Sequence, residues 1–186
     1  MPPARTASEV SNQFPDWTDY DLLATDPALN ECLSRAGVTD AAALADYACR
    51  LGSQATFALG EIANRHTPEL RAFDRFGNRI DEIAFHPAWH QLMGLAIGQE
   101  THALAWNRPE HGAQVARAAL QYLWYGAESG ICCPISMTYA AVPVLRQDHL
   151  LWEQWGSLVT SNCYDPRQGP AHLKIGATVG TAMTET

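Results

Sequence analysis

Between Ala42 and Ala63 the apolar residues Leu44, Tyr47, Ala48, Leu51, Ala55, Ala58, Leu59 and Ile62 recur three and four positions apart. That spacing lays them along one stripe of an α-helix, whereas a strand would scatter them over both of its faces. A stripe about six turns long must be covered by other helices, and the rest of the chain supplies them. Asp26-Pro27 reads as an N-cap followed by proline in the first turn, and Gly37 reads as the stop of that short helix. Thr39 caps the long one. His86-Pro87 opens a helix to about Ala105, ahead of Asn107-Arg108-Pro109, and another runs from about Gly112 to Ser129. Pro134 starts a helix through Leu145 that Pro143 limits or kinks, and Asp148 to Trp155 forms a last short one.

Residues 69–85 change period. Leu70-Arg71-Ala72-Phe73-Asp74 and Arg79-Ile80-Asp81-Glu82-Ile83 flank Arg75-Phe76-Gly77-Asn78, whose glycine and asparagine are turn chemistry. The predicted fold class is therefore all-α, an up-and-down helical bundle with a small β-hairpin insert. Asn162 to His172, with Pro166, Gly169 and Pro170, reads as a linker. The final stretch, LKIGATVGTAMTET, alternates small, β-branched and apolar residues, as a strand does. A lone strand cannot satisfy its own ladder groups. The expected organisation is thus a helical domain over 1–165, with a polar arm over about 1–15, and the start of a truncated β-domain over 173–186.

The 186 residues are enough for one sizeable core, and 47% hydrophobic against 17% charged residues marks a globular chain somewhat poor in charge. The formal net charge is −8, with Lys174 the single lysine and the arginines scattered. No basic stripe tracks a nucleic-acid backbone in this segment. Cys32, Cys49, Cys132, Cys133 and Cys163 form an odd set without CxxC, which reads as free thiols in a reducing, cytoplasmic setting. No run approaches eighteen apolar residues, so no membrane span is expected.

Several constellations carry candidate chemistry. His86 and His90 stand four apart on one helix face, the spacing of a two-imidazole metal site, but no Asp or Glu joins them at a motif distance. Helix capping by His86, core hydrogen bonding by His90 and a pocket-lining role are the other readings. Trp106, Tyr122, Trp124 and Tyr125 concentrate aromatic mass on two helices, as core or as the border of a ligand or partner. Ser129 to Thr138 (SGICCPISMT) puts small and hydroxyl-bearing residues at a helix start, either for tight packing or for a narrow cavity floor. Nothing near Cys132-Cys133 predicts an activated thiol. GxGxxG, P-loop and GxSxG motifs are absent from this sequence.

Asp81-Glu82-Ile83-Ala84-Phe85-His86-Pro87-Ala88-Trp89-His90 and Cys133-Pro134-Ile135-Ser136-Met137-Thr138-Tyr139-Ala140-Ala141 resemble matching segments of the AidB-like branch of the acyl-CoA dehydrogenases. Asn64, Pro68-Glu69-Leu70 and Ala103-Leu104-Ala105-Trp106 follow in the family's order, so the resemblance spans roughly residues 10–186. It implies an FAD-dependent oxidation of an acyl-CoA thioester at its α,β-carbons, with this segment as the N-terminal part. The catalytic base would then come from a C-terminal helical domain, so no catalytic residue is assigned here. By the same resemblance Met183, Thr184, Glu185 and Thr186 would begin the flavin-contacting region of the middle β-domain, and Met137, Thr138 and Cys133 would line the substrate pocket. Thr186 departs from the lysine or proline usual there. The resemblance also implies a homo-oligomer; if the parent protein touches DNA, C-terminal parts are where it would do so. A non-catalytic helical oligomerisation module is the alternative of another class.

Overall fold

The computed structural model describes residues 12–38 and 41–182. Most of the predicted arm, the Thr39 cap and the flavin-contact candidates Met183, Thr184, Glu185 and Thr186 lie outside the described residues. In order, the elements are α1 (Pro27–Arg35), α2 (Ala41–Leu51), α3 (Gln54–Arg65), β1 (Glu69–Phe73), β2 (Arg79–Ala84), α4 (Pro87–Gly98), α5 (Leu104–Asn107), α6 (Ala113–Ala127), α7 (Cys132–Leu145) and α8 (His149–Val159), followed by a 3-10 turn at Ala171–Leu173. This is a helical bundle carrying one two-stranded antiparallel sheet.

The long helix expected over 42–63 is two helices, and tertiary packing explains the break. The N-terminal segment crosses at Gly52, whose carbonyl accepts from the Asp19 N–H at 2.8 Å. A Cβ on Gly52 would stand 1.9 Å from the Tyr20 carbonyl oxygen, so only glycine permits the crossing. Ser53 then restarts the helix, accepting from the Thr56 N–H at 3.3 Å. Likewise the helix opened by His86-Pro87 ends at Gly98 rather than near Ala105, because the chain turns through Glu100 at φ 55° and buries Thr101 and His102 in the bend. Pro143 lies inside α7, which runs through it to Leu145.

Along the buried seam, Tyr47 and Leu51 of α2, Leu92 and Met93 of α4, Leu123 and Trp124 of α6 and Ile135 of α7 pack into one cluster. Trp124 is the largest fully buried side chain, and its Nε1–H donates to the Tyr47 hydroxyl at 2.8 Å. The other aromatic candidates divide by position. Trp106 stacks on Tyr139 at 5.0 Å, whereas Tyr122 and Tyr125 face outward.

The hairpin forms with Leu70 opposite Ile83 and a bulge at Asp81, where φ is 46°. The Asp74 carboxylate accepts from the Phe76 and Asn78 N–H groups and closes its turn. The expected final strand has no ladder among the described residues. Instead, alternate N–H groups of the terminal segment reach the bundle: Ala177 to the Leu158 carbonyl at 3.0 Å, Val179 to Thr138 Oγ1 at 3.0 Å, and Thr181 to Met137 Sδ at 3.4 Å. The period of two is that of extended chain.

Candidate functional site

The start of α7 forms one wall of a cavity of about 560 Å³, opposite the end of α3 and the exit of the hairpin. Two of the three predicted pocket residues, Cys133 and Met137, line it, beside Pro134. Phe85 and Trp89 line the facing wall, stacked at 3.9 Å between ring centroids with 18° between planes. Thr178, Val179 and Gly180 form its lip.

Thr138 is placed differently. It is fully buried one turn below the cavity, and its hydroxyl donates to the Pro134 carbonyl at 2.8 Å while accepting from the Val179 N–H. It therefore holds the lip. Thr138→Val is expected to cost about 1 kcal/mol and to speed hydrogen exchange at the Val179 amide while leaving that of Ala177 unchanged; Thr138→Ser should restore protection.

Asp165 secures the approach of the terminal segment. Its buried carboxylate accepts from the Arg167 guanidinium at 2.6 and 2.9 Å and from the Ile175 N–H at 3.1 Å. The Arg167 guanidinium, foremost, holds that carboxyl well below the usual carboxylate range. Gly176 passes so close to the bundle that a Cβ there would lie 2.1 Å from the Cys163 carbonyl oxygen. Arg167, Asp165 and the glycine together fix where residues 176–182 run.

Glu128 borders the same cavity, but its carboxylate is committed. It accepts from the N–H groups of Gly130 at 2.8 Å and Ile131 at 3.0 Å, and from Asn64 Nδ2 at 3.3 Å. These bonds cap the start of α7. Cys132 faces the core, where burial and the nearby Glu128 carboxylate push its thiol up to about 11. The thiol stays protonated and unreactive at neutral pH.

His86 caps α4, its Nδ1 accepting from the Ala88 N–H at 3.1 Å, and its ring stacks on His66 at 4.5 Å. His90 Nδ1 pairs with the Tyr164 hydroxyl at 2.7 Å beside a second cavity, and burial lowers its pKa. Among the described residues no group of three or more His, Cys, Asp or Glu side chains is gathered as a metal site requires. No helix among them is long and apolar enough to cross a membrane.

The sequence does not single out the Phe85–Trp89 wall as a site. The signal was an i, i+4 aromatic pair spanning the hairpin exit and the first turn of a helix, legible only once the hairpin is known to end at Ala84.

The helical fold is shared with solved acyl-CoA dehydrogenase structures. The Caenorhabditis elegans ACDH-11 crystal structure, solved in complex with C11-CoA, superposes with a TM-score of 0.71 at 20% identity, over 86% of this chain and 29% of that one. The structure of Bd2924 in its apo form gives a TM-score of 0.69 at 25% identity, over 82% of this chain and 32% of that one. The fold class is that of the N-terminal helical region of acyl-CoA dehydrogenases.

Within that class, residues 12–166 match the family model described as the adaptive response protein AidB N-terminal domain. The chain belongs to the AidB N-terminal domain family. It is 39% identical over 181 residues to the Escherichia coli (strain K12) protein named "Putative acyl-CoA dehydrogenase AidB". The alignment takes in 95% of this chain and 33% of that protein, so the chain spans about a third of the length of this relative.

Proposed function

We propose that this chain is the N-terminal cavity wall of an AidB-type, FAD-dependent acyl-CoA dehydrogenase that oxidises an acyl thioester at its α,β-carbons. The observation that carries the reading is the 560 Å³ cavity whose apolar wall comes from the two segments that carry the resemblance, residues 81–90 and 133–141. Cys133, Pro134 and Met137 on one side and Phe85 and Trp89 on the other offer a hydrocarbon chain an apolar lining, and the Glu128 carboxylate at its border is held by backbone N–H donors.

The residues present fit one edge of a flavin. The lip segment carries Thr178 and Gly180 between the anchored residues, so their N–H groups alternate with those already bonded to the bundle and remain for a ligand or a sheet. Met183, Thr184, Glu185 and Thr186 are the proposed next contacts along that direction. When bound, the flavin supplies the acceptor for hydride. The chain's own part is to exclude water from the acyl group, to seat the alkyl chain against Met137 and Trp89, and, through Thr138, to hold the lip in register.

The test is spectroscopic. Protein carrying this domain together with its β- and C-terminal regions should purify with bound flavin, and acyl-CoA added without oxygen should bleach its absorbance. A colourless protein, or a flavin indifferent to acyl thioesters of every length, would overturn the proposal.

A second reading rests on the hairpin, where Leu70, Phe73, Phe76 and Ile83 are exposed by 65%, 63%, 75% and 40%. A two-stranded sheet with so much apolar surface in water suits an interaction module acting by oligomerisation. Sedimentation of the wild type against Leu70→Glu/Phe73→Glu decides it: an unchanged monomer in both removes this reading.

A further inference from the structure

Behind the Phe85–Trp89 wall lies a second cavity of about 340 Å³, reached from the other side of α4. Phe85, Trp89 and Thr178 line both spaces, so the two are separated only by this aromatic pair and the terminal segment. The second space is lined by Ile97, Trp155, Tyr164 and Ala177, with its charged groups, Asp165, Arg167 and Lys174, already engaged with one another's segments. An alkyl chain entering from the first cavity meets the stacked rings before it meets any of these.

We infer that Trp89, braced by Phe85, is the length-setting residue of the site: the alkyl chain of the ligand ends against its indole, and the second cavity is space the wild-type protein withholds. The stack explains how one side chain can do this. Phe85 leaves the hairpin at the point where His86 caps α4, so the brace is fixed by two elements rather than one. Trp89 meets the His90 ring at 5.4 Å and that of Tyr164 at 6.4 Å edge-to-face, and the His90–Tyr164 hydrogen bond ties those two together. An indole stacked on Phe85 and flanked by the His90 and Tyr164 rings does not swing aside for an extra methylene, since moving it would empty those contacts. The inference deepens the proposed function, because it assigns that site a specificity-determining residue.

The experiment uses two probe series on this chain. Straight-chain alkanols of four to twelve carbons report on the cavity alone, and acyl-CoA thioesters of the same lengths report on the proposed function; binding of each is followed by calorimetry. In the wild type, affinity should rise about fourfold per carbon while each methylene is buried, then level off. In Trp89→Ala the rise should continue to longer alkanols, each added carbon again bringing about fourfold. In Trp89→Ala/Ala177→Phe, which refills the second cavity from the terminal segment beside the partition, the plateau should return toward the wild-type length. Trp89→Phe, the milder change, should shift the plateau less and guards against loss of folding, which circular dichroism monitors. A plateau at the same length in wild type, Trp89→Phe and a folded Trp89→Ala would overturn the assignment of Trp89. Plateaus that move for alkanols while no acyl-CoA binds would uphold the partition and overturn the acyl-CoA reading of the site.

Discussion

Trp124→Ala is expected to lower the unfolding free energy by about 3–5 kcal/mol, the cost of emptying a large aromatic site in a core that cannot collapse onto it. The indole has no solvent exposure, and it touches the α2 side of the core through the Tyr47 ring, 6.3 Å away at 70°. The same truncation removes the N–H that the buried Tyr47 hydroxyl accepts, leaving that oxygen with only its donated bond to the Leu95 carbonyl at 3.2 Å. Trp124→Phe separates the two effects, because it keeps most of the volume and loses the hydrogen bond; about 1–2 kcal/mol should remain. Urea unfolding of the three proteins measures both, and a Trp124→Ala loss under 1 kcal/mol would contradict the packing described.

Acid should destabilise this protein well above the range where carboxylates protonate. His102 is 1% exposed, its Nε2–H donates to the Ser161 carbonyl at 3.1 Å, and Nδ1 has no partner. Burial, above all, pushes its pKa down to about 4, with Arg117 adding to the fall and Glu100 and the Ser161 bond opposing it. In the unfolded chain the imidazole titrates near 6.5. Above that pH both states are neutral and the group is silent. Below it the unfolded state takes up a proton that the folded state refuses, so stability falls from about pH 6.5 and the loss is nearly complete once pH passes the folded value. By pH 4 the loss amounts to about 3 kcal/mol. His90, also lowered by burial, adds to it in the same direction. Stability curves at pH 7, 5.5 and 4 for the wild type and His102→Gln test this. The variant should lose most of the slope, and parallel slopes would show that His102 is not its source.

His102 also shows why part of the molecule could not be read from sequence. Thr101-His102 falls within the apolar period that predicts a continuous helix to Ala105, and nothing local marks it as a bend. The bend exists because Arg117 of α6 donates its Nε–H to the Thr101 carbonyl at 3.1 Å and the carbonyl of Ser161, fifty-nine residues away, accepts a hydrogen bond from His102 Nε2–H. The same holds at Gly52, where the reason for a break comes from residue 19 and not from a neighbour. By contrast the hairpin was legible because its turn chemistry is local: the Asp74 carboxylate bonds two and four residues ahead. Asp26-Pro27 and His86-Pro87 were legible as caps for the same reason. Of the candidate site, Cys133 and Met137 could be placed from their segment, while the wall opposite them depends on how the hairpin delivers Phe85 to α4.

The sequence by itself determined that helices would dominate, where a hairpin would interrupt them and which helix starts would be capped, because each depends on contacts within a few residues. Its two most specific segments also pointed to the family. The tertiary structure alone decided where the long stripes break, that Thr138 serves the terminal segment from below the cavity, and that Trp89 stands between two spaces. Those outcomes rest on backbone groups and rings brought together over tens of residues, and local periodicity carries no record of such partners.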